Sequence, residues 1–243
     1  MNAYGITHKG AVRKENQDKF RFRLSEDDSL IAVVCDGMGG AQAGSVASGI
    51  SVDAFMLHAE ESFDHAAESS KLKTVLREAV NYANIKVYDR SFTDFSCMGM
   101  GCTLVGLFVK DGRCLIANVG DSRAYLISDS EIRQISRDHS LVEDLVSKGE
   151  ISHDEAKNHP QKNIITRAIG VEASVKCDIF DFSPEPGSKL LLCSDGLSNM
   201  LSDRELLYHS SANSSIDQAA EAMLNLALQR GAPDNVTVFI AQI

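Results

Sequence analysis

Leu30-Ile31-Ala32-Val33-Val34-Cys35-Asp36-Gly37-Met38-Gly39-Gly40 runs six apolar residues without a break into an aspartate, and three glycines follow within four positions. A strand with one solvated face alternates apolar and polar residues, so an unbroken short run reads as a strand buried on both faces. The design recurs where Arg113–Val119 runs into Gly120-Asp121 and where Lys189–Cys193 runs into Ser194-Asp195-Gly196. Cys102–Val109, the turn Lys110-Asp111-Gly112 and Arg113–Val119 read together as a hairpin. Further strands are expected over Ala124–Ile127, Ile132–Ile135, Val175–Phe182 and Val236–Ile243, separated by turn clusters such as Ser183-Pro184-Glu185-Pro186-Gly187.

Helical spacing is confined to a few blocks. Val46, Ile50, Ala54 and Leu57 form one stripe, and Leu72, Val75, Leu76, Ala79, Val80 and Ala83 form another. A third, within Ile216–Leu228, carries Ala219, Ala220, Met223, Leu224, Ala227 and Leu228, with Ser214 or Ser215 to cap it and Gly231 to stop it. Helices adjacent in sequence and followed by hairpin-rich stretches fit antiparallel sheets under helix layers better than an alternating parallel design. Residues 138–165 form a polar, helix-prone insert expected on the surface.

The chain has 243 residues, 44% apolar and 24% charged, and no linker or repeat, which fits one domain over 1–243. Its 24 Lys and Arg against 34 Asp and Glu give a net charge of −10, with no basic stripe, so neither nucleic acid nor an anionic membrane is an expected partner. Leu30–Cys35 is the longest fully apolar run, far short of the roughly 20 residues a membrane helix needs. The N-terminus has no apolar signal block, so a cytoplasmic location is expected. The six cysteines show no C-x-x-C pair and several sit in apolar runs, which favours reduced core thiols over a zinc site or disulfides.

What carries chemistry is a recurrence: apolar strands end at Asp36, Asp121 and Asp195, and Asp234 stands just before the final strand. Asp-Gly is also a common turn, and any one of these alone would be unremarkable. Together at one sheet edge, however, such carboxylates repel unless cations sit between them. Oxygen ligands favour Mg²⁺ or Mn²⁺ over zinc, and the seven histidines show no ligand spacing. Glycines at 37, 39 and 40 permit close backbone approach and let a carbonyl turn inward.

The ordered motifs resemble the metal-dependent serine/threonine protein phosphatases of the PP2C type in their compact bacterial form. Those motifs are Gly10-Ala11-Val12-Arg13-Lys14-Glu15-Asn16-Gln17-Asp18, Val34–Gly40, Gly44 with Ala47-Ser48, and Gly101-Cys102-Thr103. They continue with Asn118–Tyr125, Asp138-His139-Ser140, Thr166–Gly170, Ser194–Leu197 and Asp234-Asn235-Val236-Thr237, nearly the whole chain.

The resemblance implies an α+β fold, an α/β/β/α sandwich of two antiparallel sheets flanked by helices. It implies two core Mn²⁺ or Mg²⁺ ions, with Asp36 bridging them, the Gly37 carbonyl on one and Asp195 and Asp234 on the other. Asp121, with Asp195, would support a third, weaker ion. Asp18 would orient the attacking water, Arg13 would clamp the substrate phosphate, and a hydroxide bridging the metals would be the nucleophile. Residues 138–165 would be the family's flap.

Three positions depart from common family patterns. Met38 stands where eukaryotic relatives often have histidine, Gln17 where other members have a glutamate, and Ala41 where bacterial members commonly have histidine. The expected activity is hydrolysis of phosphoserine and phosphothreonine by a monomer, opposing a serine/threonine kinase and its targets. The alternatives are a catalytically silent binding module of the same fold, a regulator phosphatase, or a small-molecule phosphoesterase.

Overall fold

The computed structural model describes residues 1–39, 43–63 and 69–243, so Gly40, Ala41 and His65 lie outside the described residues. The first half of the chain contains β1 (Asn2–His8), β2 (Lys19–Leu24), β3 (Leu30–Cys35), β4 (Gly37–Met38), α1 (Ala43–Phe63), α2 (Ser69–Thr93), a 3₁₀ turn (Phe95–Cys97), β5 (Gly101–Cys102), β6 (Leu104–Lys110) and β7 (Arg113–Val119). Then follow β8 (Arg123–Ile127), β9 (Ile132–Gln134), α3 (Leu141–Ser147), α4 (His153–Lys157), β10 (Asp178–Phe182), β11 (Lys189–Cys193), α5 (Asp195–Ser198), α6 (Asp203–Ala212), α7 (Ile216–Gln229) and β12 (Val236–Gln242).

Two five-stranded antiparallel sheets result, ordered β1-β12-β11-β8-β9 and β10-β7-β6-β3-β2. The unbroken apolar strands explain how they stack. In β3, Leu30, Ala32 and Val34 face the other sheet, where they meet Leu190, Leu192, Phe239 and Ala241. Ile31, Val33 and Cys35 point the other way, into a core shared with α1 and α2. The opposite sheet does the same: Leu191, Cys193, Val238 and Ile240 pack under α7 with Met223 and Ala227. Side chains alternate across a strand, so three apolar layers require strands that are apolar at every position. The architecture is the expected α/β/β/α sandwich, α1 and α2 covering one sheet, α6 and α7 the other.

Several boundaries differ from the sequence reading. The strand expected over Cys102–Val109 breaks at Thr103, which leaves the ladder to bond Asp36 instead. The strand expected from Val175 begins at Asp178, which Arg167 and His139 hold from the side. In α1 the stripe is turned: Leu57 is 51% exposed, while the small residues Ala47, Ser48 and Ser51 and the ring of Phe55 are buried. Gly106 makes room for that ring, since a Cβ there would stand 2.8 Å from Phe55 Cζ. All six cysteines are free thiols, five buried and Cys177 half-buried.

The insert over 138–165 is pinned at both ends. Ser140 and Ile165 form an antiparallel bridge, Leu141 N–H donates to Ile164 O (2.8 Å) and Thr166 N–H to His139 O (2.8 Å). At its base Arg123 grips Asp138 through Nε (3.0 Å) and Nη2 (2.7 Å). Between these anchors Ser140 caps α3, and a Ser152–Glu155 capping box starts α4.

Candidate active site

Strand ends of both sheets converge where the sequence put aspartates. Asp36 follows β3, Asp121 follows β7, Asp195 follows β11 and opens α5, and Asp234 precedes β12. Asp36 is fixed by its backbone. Its N–H donates to Thr103 Oγ1 (2.9 Å), its carbonyl accepts from Thr103 N–H (2.8 Å), and Thr103 Oγ1 lies 2.7 Å from Ser122 Oγ. Gly37 is confined, for any Cβ there would collide with the Gly44 carbonyl and stand 2.7 Å from Gln17 O. Gly196 is equally confined by the Asn235 carbonyl. The backbone therefore approaches the acidic edge more closely than a side chain would allow.

Asp18 lies beneath this edge, fully buried. Its Oδ2 accepts from Ser194 Oγ (2.7 Å) and Thr237 Oγ1 (2.7 Å), and its Oδ1 accepts no hydrogen bond among the described residues. Asn235 fastens the N-terminal loop around it: Oδ1 accepts from Gln17 N–H (2.8 Å), and Nδ2 donates to Lys9 O (2.9 Å) and Glu15 O (2.9 Å). Arg13, on the same loop, donates from Nη2 to Asp234 Oδ2 at 2.7 Å, and that bond raises its already high pKa. The guanidinium expected to face phosphate thus lies beside the acidic edge, against one of the predicted ligands. Its side chain is 55% exposed, leaving its other donors open to solvent.

The electrostatics describe a site short of positive charge. Burial, then the carboxylates of Asp18, Asp195, Asp121 and Asp234, hold the Asp36 carboxyl well above the usual carboxylate range. Asp121 is pushed up to about 7 by burial, with Asp195 and Asp138 adding to it. Asp18 is pushed up to about 6, chiefly by burial, while the bonds from Thr237 and Ser194 pull it down. Asp195 is raised by burial and by Asp234, and among the described residues its buried Oδ1 has no hydrogen bond.

Among the described residues no three acidic, histidine or cysteine side chains already converge as a closed ligand cage. The donor set nonetheless fits a hard divalent cation. It is all oxygen, it carries excess negative charge, and it keeps buried carboxylate oxygens without partners.

The structure therefore gathers Arg13, Asp18, Asp36, Gly37, Asp121, Asp195 and Asp234 at one edge. Sequence reasoning gave no role to Thr103, Ser122, Ser194, Asn235 and Thr237, which hold the acids in place. The signal was available, since each but Thr103 is adjacent to an aspartate or within three residues of one.

Residues 7–235 match the family described as Protein phosphatase 2C. The chain belongs to the protein phosphatase 2C family, and with it to the serine/threonine phosphatases. It is 36% identical over 242 residues to the serine/threonine phosphatase stp of Listeria monocytogenes, covering 100% of this chain and 96% of that one. The crystal structure of serine/threonine phosphatase Stp1 from Staphylococcus aureus superposes with a TM-score of 0.92 at 35% identity, over 99% of this chain and 94% of that one. The catalytic domain of the serine threonine protein phosphatase PstP, in complex with 2 manganese ions, gives a TM-score of 0.85 at 30% identity, over 99% of this chain and 97% of that one. Among the described residues no helix is long and apolar enough to cross a membrane.

Proposed function

We propose that this phosphatase hydrolyses phosphoserine and phosphothreonine in proteins with the aid of Mn²⁺ or Mg²⁺. Asp36, the Gly37 carbonyl, Asp195 and Asp234 would hold two ions, and Asp121 with Asp195 a third, weaker one. The observation that carries this reading is the convergence of four strand-end carboxylates, Asp36 and Asp121 from one sheet with Asp195 and Asp234 from the other, above the buried Asp18. Bound there, the ions would lower the pKa of water and stabilise charge on the attacking and leaving oxygens of an in-line displacement.

The chain's own residues do the positioning. Arg13 offers a planar fork to phosphate oxygens, exchanging its bond to Asp234 for the substrate's charge. Asp18, held by Ser194 and Thr237 through Oδ2, keeps Oδ1 as the acceptor that orients the attacking water. Thr103 and Ser122 keep the Asp36 backbone from shifting as charge builds. Met38 cannot transfer a proton, so the leaving oxygen takes its proton from water.

The reading extends to one domain over 1–243 with 138–165 as a flap beside the site. It also extends to a monomeric cytoplasmic enzyme that opposes a serine/threonine kinase. Phosphate release from a phosphothreonine peptide in Mn²⁺, in Mg²⁺ and in EDTA, with Asp36→Asn alongside, tests the core of it. Turnover should require metal and fall at least a hundredfold in Asp36→Asn. Metal-independent turnover, or a fully active Asp36→Asn, would refute it.

A further inference from the structure

Nine large hydrophobic side chains are prominently exposed among the described residues, and four of them line one groove. Phe92 (73% exposed), Phe95 (87%), Met98 (64%) and Val171 (54%) surround a hollow of about 370 Å³ at the end of α2. Isolated exposed apolar residues are ordinary, but a cluster of this kind marks a surface that is covered in use.

The cluster is held in place. Asp94 Oδ1 accepts from Ser96 N–H (3.0 Å) and Ser96 Oγ (2.6 Å), and Arg90 Nη2 donates to Asp94 Oδ2 (2.7 Å), so the turn that carries Phe95 is pinned to α2. Phe92 packs against Tyr88 with ring centroids 4.7 Å apart and ring planes tilted by 54°. A backbone turn held in place before contact lowers the cost of presenting these side chains to a partner.

The groove leads toward the acidic edge through Val171 and Met38. Val171 also lines a second hollow of about 310 Å³, together with Met38, Thr166 and Arg167. Met38 and Val171 meet over Gly101, where a Cβ would stand 2.7 Å from Met38 Cε and 3.0 Å from Val171 Cγ2. The backbone repeats the link. The Phe95–Cys97 turn leads into β5, whose Gly101 and Cys102 pair with Met38 and Gly37, the residues directly after Asp36. The middle of this path carries both charge signs, with Arg167 already paired to Asp178 (3.0 Å) and Glu172 near Lys176, so it selects for no strongly charged ligand.

We infer that this groove docks the phosphoprotein substrate itself, receiving a bulky apolar side chain that flanks the phosphorylated residue. The inference rests on the phosphatase reading. The lead from the groove through Val171 to Met38, two residues after Asp36, singles out this occupant, because a polypeptide whose phosphate sits at Asp36 and whose chain leaves on this side meets that apolar path.

The test compares the full chain with Phe95→Ser/Met98→Ser, and with Tyr208→Ser as a control at a remote exposed site on α6. Substrates are p-nitrophenyl phosphate and phosphothreonine peptides with leucine or serine placed on either side of the phosphoresidue, in Mn²⁺. The wild type should prefer one leucine peptide by about tenfold in kcat/KM, the scale of burying one such side chain. The double variant should lose that preference through KM while p-nitrophenyl phosphate turnover stays within about twofold, and Tyr208→Ser should match the wild type. A wild type indifferent to leucine, or a double variant that keeps the preference, would overturn the inference. So would a concentration-dependent dimer in sedimentation that the double variant dissolves, since the groove would then belong to a second copy. Absence of p-nitrophenyl phosphate turnover by the wild type would instead refute the phosphatase reading beneath it.

Discussion

Arg13 and Asp234 join two roles in one ion pair. The carboxylate is a proposed metal ligand, the guanidinium a proposed phosphate clamp, and their 2.7 Å bond keeps both at the acidic edge. The pair is 55% and 35% exposed, so its own contribution to folding is small, well under about 1 kcal/mol. Its value lies in recognition, where hydrogen bonds to charged groups are each worth about 1.5–3 kcal/mol. Arg13→Ala should therefore lower kcat/KM on a phosphothreonine peptide by roughly ten- to a hundredfold and leave the urea midpoint almost unchanged. Arg13→Lys should recover only part of the loss, because an ammonium cannot present two parallel donors. A large stability loss in Arg13→Ala would show that the arginine serves the fold instead.

Two elements rest on side chains that can be tested separately. Strand β10 is an edge strand, and Asp181 ties it inward: Arg113 Nε and Nη2 donate to its two carboxylate oxygens (2.6 Å each) and Lys73 of α2 reaches it as well. Those cations hold the Asp181 pKa at about 2. A carboxylate depressed in this way stabilises the fold above its unfolded pKa, near 4, and the contribution disappears as pH falls through about 2. Asp181→Asn should thus destabilise by about 1 kcal/mol or less at pH 7, given that Arg113 and Lys73 are nearly half exposed. The gap to wild type should close as unfolding is measured from pH 5 down to pH 2.5. Helix α6 starts from a Ser202–Glu205 capping box, and Arg230, beyond α7, grips Glu205. Ser202→Ala should cost about 1 kcal/mol by urea unfolding, with phosphatase activity retained.

Which elements the sequence revealed follows from how each is buried. Strands β3, β7 and β11 are built around short apolar runs, LIAVVC, CLIA and LLLC, and have the bounds read for them. Strand β2 (KFRFRL) was legible by its alternation of Phe20, Phe22 and Leu24 with Lys19, Arg21 and Arg23, but a half-buried edge strand is easily passed over as polar. Strand β1 (NAYGITH) has no such rhythm, because its order comes from pairing with β12 across the length of the chain. In α1 the buried face mixes Val52, Phe55, Met56 and Phe63 with Gly44, Ser48, Ser51 and several alanines, small residues that a hydrophobic count undervalues. The acids of the site stood out through recurrence. Their supports did not, since a serine or asparagine beside an aspartate has no distinctive pattern until the contact is seen.

The two sheets bring their acid-bearing ends to one side, and this gathers negative charge on a chain already at −10. A cation that neutralises this edge binds the folded form and not the unfolded one, and so stabilises by mass action. Millimolar Mn²⁺ should raise the melting temperature by several degrees, on the order of 2–4 °C per kcal/mol for a domain of this size. EDTA should reverse the gain, and Asp36→Asn should abolish most of it. Equal stabilisation of wild type and variant would mean that the metal acts elsewhere on the surface.

Strand β12 is the last described strand in sequence, yet it lies inside its sheet, between β1 and β11. Asp234, Asn235 and Thr237, which complete the acidic edge, anchor the N-terminal loop and bond Asp18, all arrive with it. While a ribosome has delivered only the residues before Asp234, β1 has no neighbour in its sheet and Asp18 lacks one of its two donors. Such long-range closure is slow to form, and here it also acts as a timer: the acidic edge stays incomplete until β12 has been synthesised and inserted between β1 and β11.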